Sequence, residues 1–179
     1  RLGKERPNGH QAVYAHRNYR RMVLRSIQCF PGVSTVMTFT PKPKGGSTLM
    51  TRNTTTVELC DDVFDHVRLY ERLFNEGNAA KLDQLYTEDG VSAWEADLPR
   101  TGAERAAAFE EFLAMRPTMS ATVLESHITG DAALIVVDWR IDIAEDDQHF
   151  AGIGIDVLRR GPDDKWRHAV DSPFGGGRK

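Results

Sequence analysis

The sequence predicts one α+β domain over roughly residues 61–176, helices first and an antiparallel sheet after them. Two observations carry this. Val63, Val67, Tyr70 and Phe74 recur at i, i+4, i+7 and i+11, one stripe of a 3.6-residue period. Later come four strand-like runs, roughly Met119–Ile128, Ala132–Ile143, His149–Arg160 and Trp166–Ser172. The turn signals Gly130-Asp131, Glu145-Asp146-Asp147 and Gly161-Pro162-Asp163-Asp164 separate them. Early helices and a late meander set about three helices against one face of a sheet.

The elements follow in order. Asp61 and Asp62 occupy a first helical turn, where the dipole favours acids, and Gly77 stops that helix. Asn78 caps a short second helix with Leu82, Leu85 and Tyr86 inward, and Thr87-Glu88-Asp89-Gly90 has turn chemistry. Val91–Glu95 reads as a short strand. Thr101 and Glu104 form a capping-box pattern that opens a third helix through Met115, with Phe109, Phe112 and Leu113 inward. Pro117 ends it.

The chain has 179 residues, 40% hydrophobic and 27% charged, as one globular domain requires. No apolar run approaches the ~20 residues of a membrane span. Cys29 and Cys60 lack metal-type spacing, and no secretion signal is seen, so a cytoplasmic, reducing setting with an inert Cys60 is expected. Residues 1–49 hold nine Lys/Arg and one acid, whereas residues 50–179 hold fourteen Lys/Arg and twenty-five Asp/Glu. The acidic body is therefore not expected to bind nucleic acid. The basic segment has three readings. It is an untranslated leader preceding a start at Met50, with Lys44-Gly45-Gly46 encoded by a purine-rich ribosome-binding string; or a targeting or disordered tail; or a basic arm.

The stretches "YERLFNEGNAAKLDQLYTEDGV", "PRTGAERAAAFEEFL" and "GIDVLRRGPDDKWRHAVDSPFGG", in this order and spacing, resemble the nuclear-transport-factor-2-like superfamily. Within it, they resemble specifically the SnoaL-like and ketosteroid-isomerase-like members. The resemblance covers roughly residues 61–176. It implies a cone in which a bent sheet wraps the helices, a ligand-sized interior, and pairing of two copies through the outer sheet face.

In the family's isomerases one aspartate is the base, while a tyrosine and a second aspartate hydrogen-bond an oxyanion. Carried over, the resemblance puts Tyr70 and Asp156 at the oxyanion positions and Ala93 at the base. Ala93 cannot accept a proton, which argues against steroid-type isomerisation. Glu95, two residues later on the same face, is a candidate substitute. Gly152 and Gly154 share a strand face with Asp156 and leave room for a ligand. The competing readings are a core aromatic for Tyr70 and a solvated or paired structural acid for Asp156.

In the second long run, Ile135, Val137, Trp139 and Ile141 share one face, and Val136, Asp138, Arg140 and Asp142 the other. The resemblance turns Asp138 and Arg140 inward, Arg140 to orient a ligand oxygen and Asp138 to handle a proton. Trp139 then faces out towards a second subunit. Without it, Asp138 and Arg140 are a solvated cross-strand pair. Trp94, Phe112, Val136 and Gly154 complete the expected lining. His127, His149, His168 and Asp171 lack metal-ligand spacing. His168 reads as a packed strand histidine sharing a face with Trp166 and Val170, and Asp171 as a strand-end cap ahead of the alternative, an acid catalyst. The functional expectation is a cofactor-free, homodimeric pocket protein for a small molecule. Its activity would be acid–base isomerase, cyclase or dehydratase chemistry on a carbonyl compound, or non-catalytic binding or dimerisation.

Overall fold

The structure is a computed structural model that describes residues 56–95, 98–144 and 147–175. The basic segment, the Met50 start and residues 176–179 lie outside the described residues.

Helix α1 (Val63–Asn75) starts where the Asp62 carboxylate accepts the N–H groups of Phe64 and Asp65 at 2.8 and 3.0 Å. Two of the four unpaired N–H groups of a helix start are satisfied this way. Val63, Val67, Tyr70 and Phe74 are buried, as their period predicts, and His66 is buried with them. The chain leaves the helix through Gly77, at φ +67°. The amide of Asn75 then stands in for a strand neighbour. Its Nδ2 donates to Met119 O (2.9 Å) and its Oδ1 accepts from Met119 N (2.6 Å), fastening the helix end to β3 (Thr118–Thr129).

Asn78 caps α2 (Ala79–Asp83) by accepting from Lys81 N at 3.0 Å. Helix α3 (Gly102–Leu113) has Thr101 at its N-cap position, yet Thr101 and Glu104 are exposed and the Thr101 side chain makes no cap hydrogen bond. The capping box does not form. Arg105 anchors the helix instead: it is buried, donates from Nε to Asp83 Oδ1 at 2.8 Å and from Nη1 to Gly90 O, and stacks 4.4 Å from the Tyr86 ring.

The remaining strands are β1 (Tyr86–Ser92), β2 (Arg100–Thr101), β4 (Ala132–Ile143), β5 (Gln148–Arg160) and β6 (Trp166–Asp171). They form one curved, open sheet in the order β2-β1-β6-β5-β4-β3, antiparallel except for the β1–β6 pair. The predicted turn at Thr87–Gly90 lies inside β1, where the register breaks between Tyr86 and Val91. Gly90 is needed there, because a Cβ would stand 2.8 Å from His168 O.

A second irregularity sets the site. Val157 faces Val170 and Leu158 faces His168, so Ala169 is an extra residue in β6. A one-residue bulge exchanges the two faces beyond it. His168 and Asp171 therefore both turn inward and Val170 turns out, which corrects the alternation that grouped His168 with Val170. In β4 the apolar set Ile135, Val137, Trp139, Ile141 and Ile143 is buried, while Asp138 and Arg140 are exposed. The expectation of Trp139 outward with Asp138 and Arg140 inward is thus reversed. Burying the one hydrocarbon-rich face of β4 while leaving two charges hydrated is the cheaper arrangement.

Phe74, Leu82, Leu85, Ile135, Leu158 and Trp166 are fully buried between helices and sheet. No helix among the described residues is long and apolar enough to cross a membrane. Phe74→Ala is expected to lower stability by about 3–5 kcal/mol, read as a drop in the urea midpoint.

Candidate functional site

Between α1, α3 and the inner sheet face lies a cavity of about 80 Å³. Its walls include Phe74, Phe112, Val137, Trp139, Ile141 and Phe150, and its polar end holds Tyr70, Asp156, His168 and Asp171. The turn after β6 closes one side. Trp139 Nε1 donates to Pro173 O at 2.6 Å, and its ring meets Phe174 edge-on, centroids 5.5 Å apart. A Cβ on Gly152 would lie 2.9 Å from the Trp139 ring, and one on Gly154 would lie 3.5 Å from Pro173 Cα. The space these glycines vacate is thus filled by Trp139 and the closing turn; Gly154 still lines the cavity.

Asp171 is the most constrained group. Tyr86 Oη donates to its Oδ2 at 2.5 Å, and Trp94 Nε1 donates to the same oxygen at 3.1 Å. Tyr86 thereby spends its single hydrogen, so the 3.3 Å contact between the two tyrosine hydroxyls has Tyr70 as donor. Burial first, and the negative charge of Asp156 second, push the Asp171 carboxyl up to about 6; His168, Tyr86 and Trp94 hold it back. Burial, reinforced by the charge of Asp171, also raises both tyrosines well above their usual value, so they stay phenols.

Asp156 accepts from Ser172 N through Oδ1 at 3.0 Å and presents Oδ2 to His168 Nε2 at 3.8 Å. Behind it, His66 Nε2 and His168 Nδ1 are 3.0 Å apart, and His66 Nδ1 is buried with no hydrogen-bond partner among the described residues. Burial, then the adjacent His168 and Arg167, holds His66 well below its usual range, so it carries one hydrogen. An orphaned lone pair is less costly than an orphaned N–H. That hydrogen therefore sits on Nε2 and is donated to His168, whose own hydrogen is left on Nε2, aimed at Asp156.

Of the residues singled out from sequence, Tyr70, Asp156, Trp94, Phe112 and Gly154 meet at this cavity. Asp138, Arg140 and Val136 lie on the opposite sheet face, and Glu95 is tied to Arg100 at 2.7 Å and does not line the cavity. Sequence reasoning missed Asp171, His168 and Trp139 as lining residues. The bulge at Ala169 carries no sequence signal, whereas the apolar face of β4 was a usable one for Trp139. Asp171 pairs in register with Ser92, and its carbonyl accepts the N–H of Ala93 at 2.8 Å. A carboxyl thus arrives from the neighbouring strand beside the position where Ala93 has none. No group of three or more His, Cys, Asp or Glu among the described residues is arranged to hold a metal ion.

An open, curved sheet over three helices with an apolar cavity between them is the nuclear-transport-factor-2-like architecture. Within that class, the SnoaL-like domain model matches residues 67–169, and the chain belongs to this family. Solved structures agree on the fold. A conserved protein from Planctomyces limnophilus DSM 3776 aligns with TM-score 0.54 at 21% identity, over 62% of this chain and 90% of its own. An NTF-2 like protein of unknown function from Shewanella oneidensis MR-1 gives 0.52 at 21%, over 62% and 94%. An NTF2-like protein with a cystatin-like fold from Novosphingobium aromaticivorans gives 0.52 at 19%, over 65% and 82%. A comparison with curated proteins gives no significant match.

Because Asp171 binds its proton more tightly when folded than when unfolded, it favours the folded state below pH 4, and that contribution is lost as pH rises through about 6. Replacing it with Asn removes this dependence. Relative to the parent, Asp171→Asn is expected to gain about 2–3 kcal/mol between pH 4 and pH 7 in denaturation midpoints.

Proposed function

We propose that this protein binds a small, largely apolar molecule in the cavity and moves a proton on it, with Asp171 as the base. The supporting observation is the convergence of Asp171, Asp156, His168 and Tyr70 at one end of an otherwise apolar space. A base poised near 6 has a proton affinity suited to work near neutral pH. Abstraction beside a carbonyl, the step shared by isomerases, cyclases and dehydratases, would form an enolate. Its oxyanion would draw a donor from Tyr70, whose hydroxyl would turn from Tyr86.

That requirement favours a second reading, binding without catalysis, because at rest the Tyr70 hydrogen is already given to Tyr86. Exchange of α-protons of small ketones into D2O, followed by NMR, separates the two. Catalysis predicts acceleration that falls about 10²–10⁴-fold in Asp171→Asn. Tryptophan quenching by the same ketones without any acceleration would leave only binding.

We further propose that two copies pair through the outer sheet face. Leu134 and Val157, and Val136 and Ile155, are cross-strand neighbours there, with Ile153 and Val170 beside them. Leu134, Ile153 and Val170 are exposed, an apolar patch of the kind that marks an interface. Ile153→Lys faces Asp138 in register, so the fold is expected to hold while light scattering reports half the parent mass.

A further inference from the structure

Resting on the binding reading above and narrowing its ligand class, we propose that the group the cavity takes is an organic ammonium. Three features converge on this. The first is charge. Among the described residues lining the cavity the ionisable acids are Asp156 and Asp171, 8% and 6% exposed, and no Lys or Arg joins them. The buried Arg105 lies on the far side of the arrangement, over the Tyr86 ring, and is paired with Asp83 at 2.8 Å. His168 is the basic side chain beside them, its Nε2 3.8 Å from Asp156 Oδ2, so at most one of the two carboxylates is answered and a bound cation relieves the remaining negative charge.

The second feature is the direction of the hydrogen bonds. Tyr86 and Trp94 donate to Asp171, Tyr70 donates to Tyr86, Trp139 donates to Pro173 O and Ser172 N donates to Asp156. The remaining N–H, on His168 Nε2, faces Asp156. Both hydrogen bonds to Asp171 end on Oδ2, so Oδ1 is the oxygen left for a ligand. A carboxylate or phosphate would meet like charge and find the Tyr70, Tyr86, Trp94 and Trp139 donors already engaged, with only His168 Nε2 beyond hydrogen-bond distance of its neighbour, whereas an ammonium meets acceptors.

The third feature is the wall. Tyr70, Trp94, Trp139, Phe150 and Phe174 surround the space. Aromatic faces attract cations and line known ammonium sites. The cavity of about 80 Å³ is several times the ~10–15 Å³ that one enclosed water needs, so it takes a compact ammonium of a few heavy atoms.

The test uses the full chain and three probes of one shape: tert-butylammonium, tert-butanol and pivalate. Binding is read by calorimetry and by Trp94 and Trp139 fluorescence at pH 8 and pH 5. At pH 8 the ammonium is expected to bind at least tenfold more tightly than tert-butanol, with pivalate weakest. Asp171 is faced by Asp156 from β5, His168 from β6, Tyr86 from β1, Trp94 just after β1 and Tyr70 from α1 through Tyr86. His66 stands behind His168, and Arg105 lies over Tyr86. Protonation of Asp171 removes negative charge, so the ammonium preference is expected to shrink about tenfold at pH 5. Asp171→Asn is expected to lose that pH dependence, and Asp156→Asn to weaken the ammonium without weakening tert-butanol. Equal binding of tert-butanol, or tighter binding of pivalate, overturns the ammonium assignment and leaves the cavity reading standing. Failure of all three probes at tens of millimolar overturns both.

Discussion

A carboxylate brought into hydrocarbon must be answered by its surroundings, and much of this structure is that answer. The Ala169 bulge turns Asp171 into the same enclosure as His168 and Asp156. Tyr86 and Trp94 approach from β1 and the segment after it to donate to one of its oxygens. Tyr70 supports Tyr86 from α1, and Arg105 supports it from α3. Four separate parts of the chain are thus drawn to one buried charge, and a change in any of them alters its proton affinity.

The two histidines form a parallel chain that ends in the same place. His66 on α1 is buried beside His168 on β6, and the orphaned nitrogen of His66 decides which nitrogen of His168 carries hydrogen. Helix position is therefore coupled to the protonation pattern of the cavity. Asn75 sets that helix against β3 through two hydrogen bonds to Met119, so a motif distant from the polar end helps fix its geometry. The closing turn adds a third constraint, because Trp139 holds Pro173 and leaves no freely available indole donor to the cavity.

Membership of the SnoaL-like family accounts for the architecture and leaves the chemistry to the side chains. Ala93 offers no carboxyl, and one enters beside it from the adjacent strand through Asp171. The outcome is a cavity whose polar end is rich in acceptors. This is why an oxyanion-stabilising role for Tyr70 and Asp156, plausible from their positions, meets resistance from where their hydrogen bonds run.

The stripe Val63, Val67, Tyr70 and Phe74, the bounds of β3 to β5 and the Asn78 cap were legible from sequence, because period and capping are local properties of the chain. The two faces of β4 were legible as well, yet which face pointed inward was read in reverse, and the burial of Trp139 corrects it. The inward turn of Asp171 and the tautomer of His168 were not legible. Both depend on contacts across more than eighty residues and on one unpaired residue in β6, which no local pattern records. Periodicity along this chain determined its helices, strands and core stripe; only the packing of strands against one another decided which charges were buried together, because burial is a property of neighbours distant in sequence.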